Sequence, residues 1–318
     1  MAAISFTVFT PTFNRCDLLA RTYESLCEQT FQDFEWLIVD DGSTDDTLRR
    51  VQAWQQAARF SIRYIYQHNS GKHRAHNRAI AQAAGELFAV LDSDDTLVPR
   101  AIERLIFHWN SIPEPERIRF SGVSCLCVEP GGRLVGRTYP TQALECRHYE
   151  MESVHRVSGE KWGCHRTAIL RQFEFPDIAD EKYCPEGIVW NRIARNYFVR
   201  HVNEALRVYR RHSGSMTVRP FRTLMDSPRY ARMFYRECLD LEAPTAWRCK
   251  KAVNYVRYSL HAGVNLWHAV ADSAAPVLTA LLAPAGGLYY LRDILRRRNA
   301  GSLDARVAHA AFSGRRSP

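Results

Sequence analysis

The sequence holds no Cys-x-x-Cys pair, and of its nine cysteines only Cys125 and Cys127 lie close together. That excludes a zinc ribbon or a disulfide framework and makes the reduced thiols of a cytosolic protein the expectation. No Gly-x-Gly-x-x-Gly follows the first apolar run, and no Gly-x-x-x-x-Gly-Lys-Ser/Thr occurs anywhere. A dinucleotide fingerprint and an ATP-type phosphate loop are therefore excluded, and any phosphate must be gripped by other means. The first residues, Met1 to Thr7, lack the basic and apolar segments of a secretory leader. Acidic residues are outnumbered: the net charge is +9, which favours anionic partners such as nucleotides or lipid surfaces. No RNA-binding motif accompanies the basic clusters, so nucleic acid is not an expected partner.

What is present is an alternation. Apolar, β-rich runs at 4–9, 34–39, 61–66 and 87–91 alternate with helical patterns over roughly 17–29, 43–58 and 73–84. Strand and helix in turn predict a doubly wound, mostly parallel sheet flanked by helices. Pro11 is expected to stop the first strand, and Asn14 or Asp17 to cap the helix after it. The strand ends carry Thr12, Asp40, Asp41, Asp92 and Asp94, which gathers them at the edge where open α/β sheets bind ligands. Asp92, Asp94 and Asp95 would repel one another without a cation. Their oxygens suit Mg²⁺ or Mn²⁺ better than zinc, and such a cation commonly grips a diphosphate.

Thr10-Pro-Thr-Phe-Asn-Arg15, Val39-Asp-Asp-Gly-Ser-Thr-Asp45 and Leu91-Asp-Ser-Asp-Asp95, in this order and spacing, resemble the family 2 glycosyltransferases of GT-A fold. The resemblance is dense over residues 4–110. It implies an inverting transfer of sugar from a nucleotide donor with a divalent cation, Mn²⁺ or Mg²⁺. UDP is the commonest nucleotide of the family. The resemblance implies nucleotide contacts from Thr10, Pro11, Thr12, Asn14, Arg15, Asp40, Asp41, Lys72, Arg74, Asp92, Ser93 and Arg211. It implies metal contacts from Asp94 and His212, and sugar or acceptor contacts from Trp162 and Asp95. Glu186, before a Trp-containing helix, stands where relatives carry the base. Its neighbour is Gly187 rather than a second acid, so Asp180 and Glu181 stay in competition. A catalytically inactive nucleotide- or glycan-binding protein of the same fold is the alternative.

Further along, a helix over 101–109 and a strand over 119–128 are followed by the turn Glu129-Pro-Gly-Gly-Arg133. Residues 133–160 show no period, and 159–166 precede a short helix over about 167–172. Residues 1–225 form the expected catalytic domain and 226–318 a helical C-terminal extension. Residues 274–291 lack charge but contain Pro276, Pro284 and Gly286-Gly287. With Arg292 and Arg296 to Arg298 following, they predict a broken helical hairpin skimming an anionic membrane at its inner face. The acceptor then expected is a glycan or a lipid-linked precursor. The tail from 299 is expected to be disordered.

Overall fold

A computed structural model describes residues 5–210 and 220–313. It divides into two units, Met1–Ser227 and Pro228–Pro318.

In the first unit β1 (Phe6–Thr12), α1 (Cys16–Cys27), β2 (Phe34–Asp40), α2 (Thr47–Ala57), β3 (Ser61–Tyr66), α3 (Lys72–Gln82) and β4 (Leu87–Val90) follow the predicted alternation. Next come β5 (Thr96–Leu97), α4 (Ala101–Asn110), β6 (Phe120–Val128), β7 (Ala143–Cys146), α5 (His148–Ser153), β8 (Lys161–Arg166), α6 (Thr167–Leu170), α7 (Gly187–Ala194), β9 (Phe198–Val208) and α8 (Pro220–Met225). The strands form one sheet in the order β3-β2-β1-β4-β8-β6-β9-β5, with β7 also on β9. β3, β2, β1 and β4 are parallel. β8 then runs antiparallel to both β4 and β6, so the sheet is mixed beyond its first half. Its core includes Trp36, Trp109, Phe6 and Leu87, all essentially buried.

Pro11 does not end β1: it pairs in register with Val39. It lies beyond Phe9↔Val90, the last pair that β4 makes, where one side of β1 has no ladder for a missing N–H to break. Arg15, not Asn14 or Asp17, occupies the N-cap position of the helix after it and makes no side-chain cap, and the carboxylate of Asp45 accepts the Cys16 N–H at 3.0 Å.

β8 is the main departure from expectation. Lys161-Trp-Gly-Cys-His-Arg166 is a central strand although it is poor in β-branched residues. Two glycines explain its place. A Cβ on Gly163 would lie 2.0 Å from the Val123 carbonyl oxygen, and one on Gly122 would lie 1.9 Å from that of Cys164. Close approach of two backbones, not side-chain pairing, selects this segment. Gly163→Ala is therefore expected to destabilise the protein by about 3 kcal/mol, read as a lower urea midpoint. Gly131→Ala, where a Cβ would meet nothing but φ is +97°, should cost only about 1 kcal/mol.

The second unit comprises α9 (Pro228–Leu239), α10 (Thr245–His261), α11 (Leu266–Ala271) and α12 (Pro276–Ser313). Leu239, Ala252, Tyr255 and Ala269 form its core, with Leu278 and Leu282 packed against them. The expected broken hairpin is instead one continuous helix with Pro284 inside it, and the expected disordered tail is helical to Ser313. Pro276 stands at the first helical position, where its missing N–H costs nothing. Gly286 serves packing rather than a break, since a Cβ there would lie 2.5 Å from Val256 of α10. Among the described residues no helix is long and apolar enough to cross a membrane.

Candidate active site

The parallel register brings the loop residues together. Thr12 pairs with Asp40, and Asp40 with Tyr66, so the C-terminal ends of β1, β2 and β3 are level, and β4 leads directly into Asp92. Carboxylate oxygens of Asp92, Asp94 and Asp95 lie within 4.8 Å of one another. Each has a cation beside it. Lys72 Nζ is 2.7 Å from Asp92, Arg15 Nη1 is 3.3 Å from Asp94, and Arg207 Nη1 is 3.3 Å from Asp95.

Lys72 also reaches Glu186, with Nζ 2.8 Å from Oε1. One ammonium at the start of α3 thus joins the aspartate cluster to the residue preceding α7. Burial would lower the Lys72 pKa, but Asp92 and Glu186 hold it well above the usual lysine range. Burial would raise that of Asp92, but Lys72 keeps it below the usual carboxylate range. Asp95 differs: it is buried, and desolvation lifts it to about 7 despite Arg207. Its carboxylate accepts the Arg210 N–H at 2.9 Å. A hard cation fits this set, since all donors are carboxylate oxygens, although Asp95 Oδ2, without a hydrogen bond among the described residues, already has Arg207 3.3 Å away.

Other expected residues are distributed as follows. Asp40 accepts the Ser43 N–H at 2.7 Å and the Tyr64 hydroxyl. Asp41 accepts the N–H groups of Ser70 and Gly71 at 2.8 and 2.9 Å and the Gln67 amide. Both carboxylates shape the loop beside Thr12, whose buried hydroxyl has no hydrogen-bond partner among the described residues. Asn14 Oδ1 accepts the Thr44 N–H at 2.8 Å, and Ser93 Oγ accepts from Arg15 at 3.5 Å. Glu181 is buried, whereas Asp180 is exposed with a φ of +65°.

Several assignments change. Trp162 is 4% exposed within the core, and its indole N–H donates to the Val90 carbonyl at 2.6 Å, so its ring does not line an open sugar site. The Thr10 hydroxyl is buried and accepts the Trp36 indole N–H at 2.9 Å. Arg74 turns to Asp177 and the Ser70 carbonyl. Asp95 is too enclosed, at 1% exposure, to meet a sugar directly. Arg211 and His212 lie outside the described residues. Arg207 carries no motif; its only sequence signal is an arginine flanked by Leu206 and Val208, consistent with a buried counter-ion.

The family described as Glycosyl transferase family 2 matches residues 7–122. Glycosyltransferase GlyG of Streptococcus pneumoniae is 34% identical over 225 residues, 66% of this chain and 72% of that protein. The GalNAc(5)-diNAcBac-PP-undecaprenol beta-1,3-glucosyltransferase of Campylobacter jejuni is 29% identical over 210 residues, 64% of each chain. The chain spans only 14 to 64% of the length of other relatives it matches, that one included. Among solved structures, S. aureus TarS 1-349 in complex with UDP aligns with a TM-score of 0.60 at 19% identity, over 94% of this chain and 92% of that one. A mannosyltransferase from Pyrobaculum calidifontis in complex with GDP-Man and Mn²⁺ aligns with a TM-score of 0.53 at 20% identity, over 89% and 79%. At these identities the likeness is one of fold, and the fold is GT-A.

Proposed function

The chain belongs to glycosyltransferase family 2, and from that premise we propose that it transfers a sugar, with inversion, from a UDP-sugar to a hydroxyl of a glycan or lipid-linked acceptor. The observation that carries this reading is the Lys72 bridge, which sets Glu186 beside Asp92 at the ligand edge of the sheet. Glu186 accepts the acceptor's hydroxyl proton. The freed oxygen bonds to the anomeric carbon as the bond from that carbon to the diphosphate oxygen breaks, and its electron pair leaves with the nucleoside diphosphate. The position of Glu186, at the N-terminal end of α7 and held by Lys72, makes it the base. Thr12, Asp40 and Asp41 border the nucleoside.

Asp92, Asp94 and Asp95 would hold Mn²⁺ or Mg²⁺, with His212 completing the set. When bound, that cation offsets the charge of the departing diphosphate. Arg15 already stands beside Asp94, and it and Arg211 add positive charge toward the same group. The UDP complex of TarS supports the donor, the Mn²⁺ complex of the mannosyltransferase supports the metal, and the Campylobacter relative's name supports a lipid-linked acceptor. Such an acceptor would be met at the inner face of the cell membrane.

The test is release of UDP or GDP from a panel of sugar nucleotides, with short glycans and lipid-linked oligosaccharides as acceptors. A UDP-sugar should be consumed and the product's anomeric configuration should be opposite to the donor's. Retained configuration would contradict the role of Glu186.

A further inference from the structure

Helix α12 has two apolar sides. One faces the unit's core: Thr279, Ala283 and Asp293 are buried there, and Gly286 lies against Val256. On the opposite side Val277, Leu281, Leu288, Leu291 and Leu295 are 56 to 74% exposed, with exposed Pro284 among them. Their spacing alternates between four and three. At about 100° per residue they share an arc of roughly 80°, and they extend over about 27 Å. Single exposed leucines are ordinary, but a continuous outward stripe marks a contact surface.

The spacing would suit a second copy as well as lipid, and charge separates the two. Exposed Arg292 and Arg296 border the C-terminal part of the stripe, with the Arg292 guanidinium 4.5 Å from the centre of the Tyr289 ring. The acid on this stretch, Asp293, is turned inward: its carboxylate takes Arg257 at 2.6 Å and His261 at 3.0 Å. Two copies paired along the stripe would bring arginines together with no acid to answer them. An anionic bilayer supplies that complement.

We propose that this face of α12 lies on an anionic membrane surface, with the apolar stripe at the acyl boundary and Arg292 and Arg296 among the headgroups. The inference deepens the reading of a lipid-linked acceptor and rests on it only for its purpose. The experiment is co-sedimentation of the full chain with vesicles of phosphatidylcholine alone, or with about a third phosphatidylglycerol. Two variants are compared with it: Leu281→Glu with Leu288→Glu, and Arg292→Gln with Arg296→Gln.

Binding is expected with the anionic vesicles only, weakened by high salt and lowered at least about ten-fold in either variant. Circular dichroism should show both variants folded, because every substituted side chain is exposed. No binding to anionic vesicles, equal binding to neutral ones, or unchanged binding in the variants would overturn the proposal. So would a dimer in solution that the leucine variant dissociates. The assay contains neither donor nor acceptor, so failure here is distinct from failure to release UDP.

Discussion

Glu186→Gln is expected to lower kcat by about 10²–10⁴-fold while leaving the donor's KM and UDP binding nearly unchanged. Glutamine keeps an acceptor oxygen for Lys72, whose Nζ lies 2.8 Å from the present carboxylate. The bridge to Asp92 can therefore persist while the proton acceptor is lost. A merely capping acid at the start of α7 would behave differently. Its loss would cost about 1 kcal/mol of stability and leave turnover largely intact. Steady-state kinetics with a urea titration separates the two outcomes, and full activity in the glutamine variant would remove Glu186 from the mechanism.

Stability should fall steeply in mild acid. His76 and His201 are buried. Burial pushes His76 down to about 3 and His201 well below the usual histidine range. His148 and His165, less enclosed, are pushed by burial to about 4 and 3. The His76 ring sits edge-on to Phe88 and Phe175, with neither nitrogen hydrogen-bonded among the described residues.

The sign follows from where the protons bind. In the unfolded chain these rings take up a proton below about pH 6.5, whereas the folded protein keeps them neutral. Their contribution is fully present above that pH and is lost as pH falls toward the folded values. His76 and His201 would each lose about 2 kcal/mol by pH 5. His148 and His165 act in the same direction. Asp95, raised to about 7, acts in the opposite direction and returns roughly 3 kcal/mol. A net loss of a few kcal/mol is large against typical domain stability. Urea midpoints from pH 8 to pH 5, with a chelator present, should fall accordingly, and His76→Phe should fall less. A flat profile would mean these rings are not held neutral.

The half of the fold that holds the aspartates was legible because strand and helix periods alternate cleanly from Phe6 to Val90. β8 was not legible: its place depends on backbone approach at Gly122 and Gly163, which leaves no hydrophobic alternation to read. α12 misled for a related reason. Pro284 and Gly286-Gly287 look like a break, yet Gly286 lies against α10, where a Cβ would meet Val256 at 2.5 Å. In the site, Asp92, Asp94 and Glu186 could be named from motif and position. Their joining through Lys72 could not, because it depends on two helix starts separated by more than a hundred residues. Trp162 shows the converse error, for an indole near the motif was taken for a sugar platform when it fills the core. Arg207 is visible only as a charge flanked by Leu206 and Val208, and its partner Asp95 becomes evident only once β9 is placed.

The central claim is a metal-supported nucleotide site built on the aspartate cluster. The most direct measurement is calorimetric titration of UDP and GDP, each with and without Mn²⁺, into the protein and into Asp94→Asn. UDP binding that requires Mn²⁺ and disappears in Asp94→Asn is the predicted result. Binding indifferent to the metal, or retained in the variant, would contradict the account.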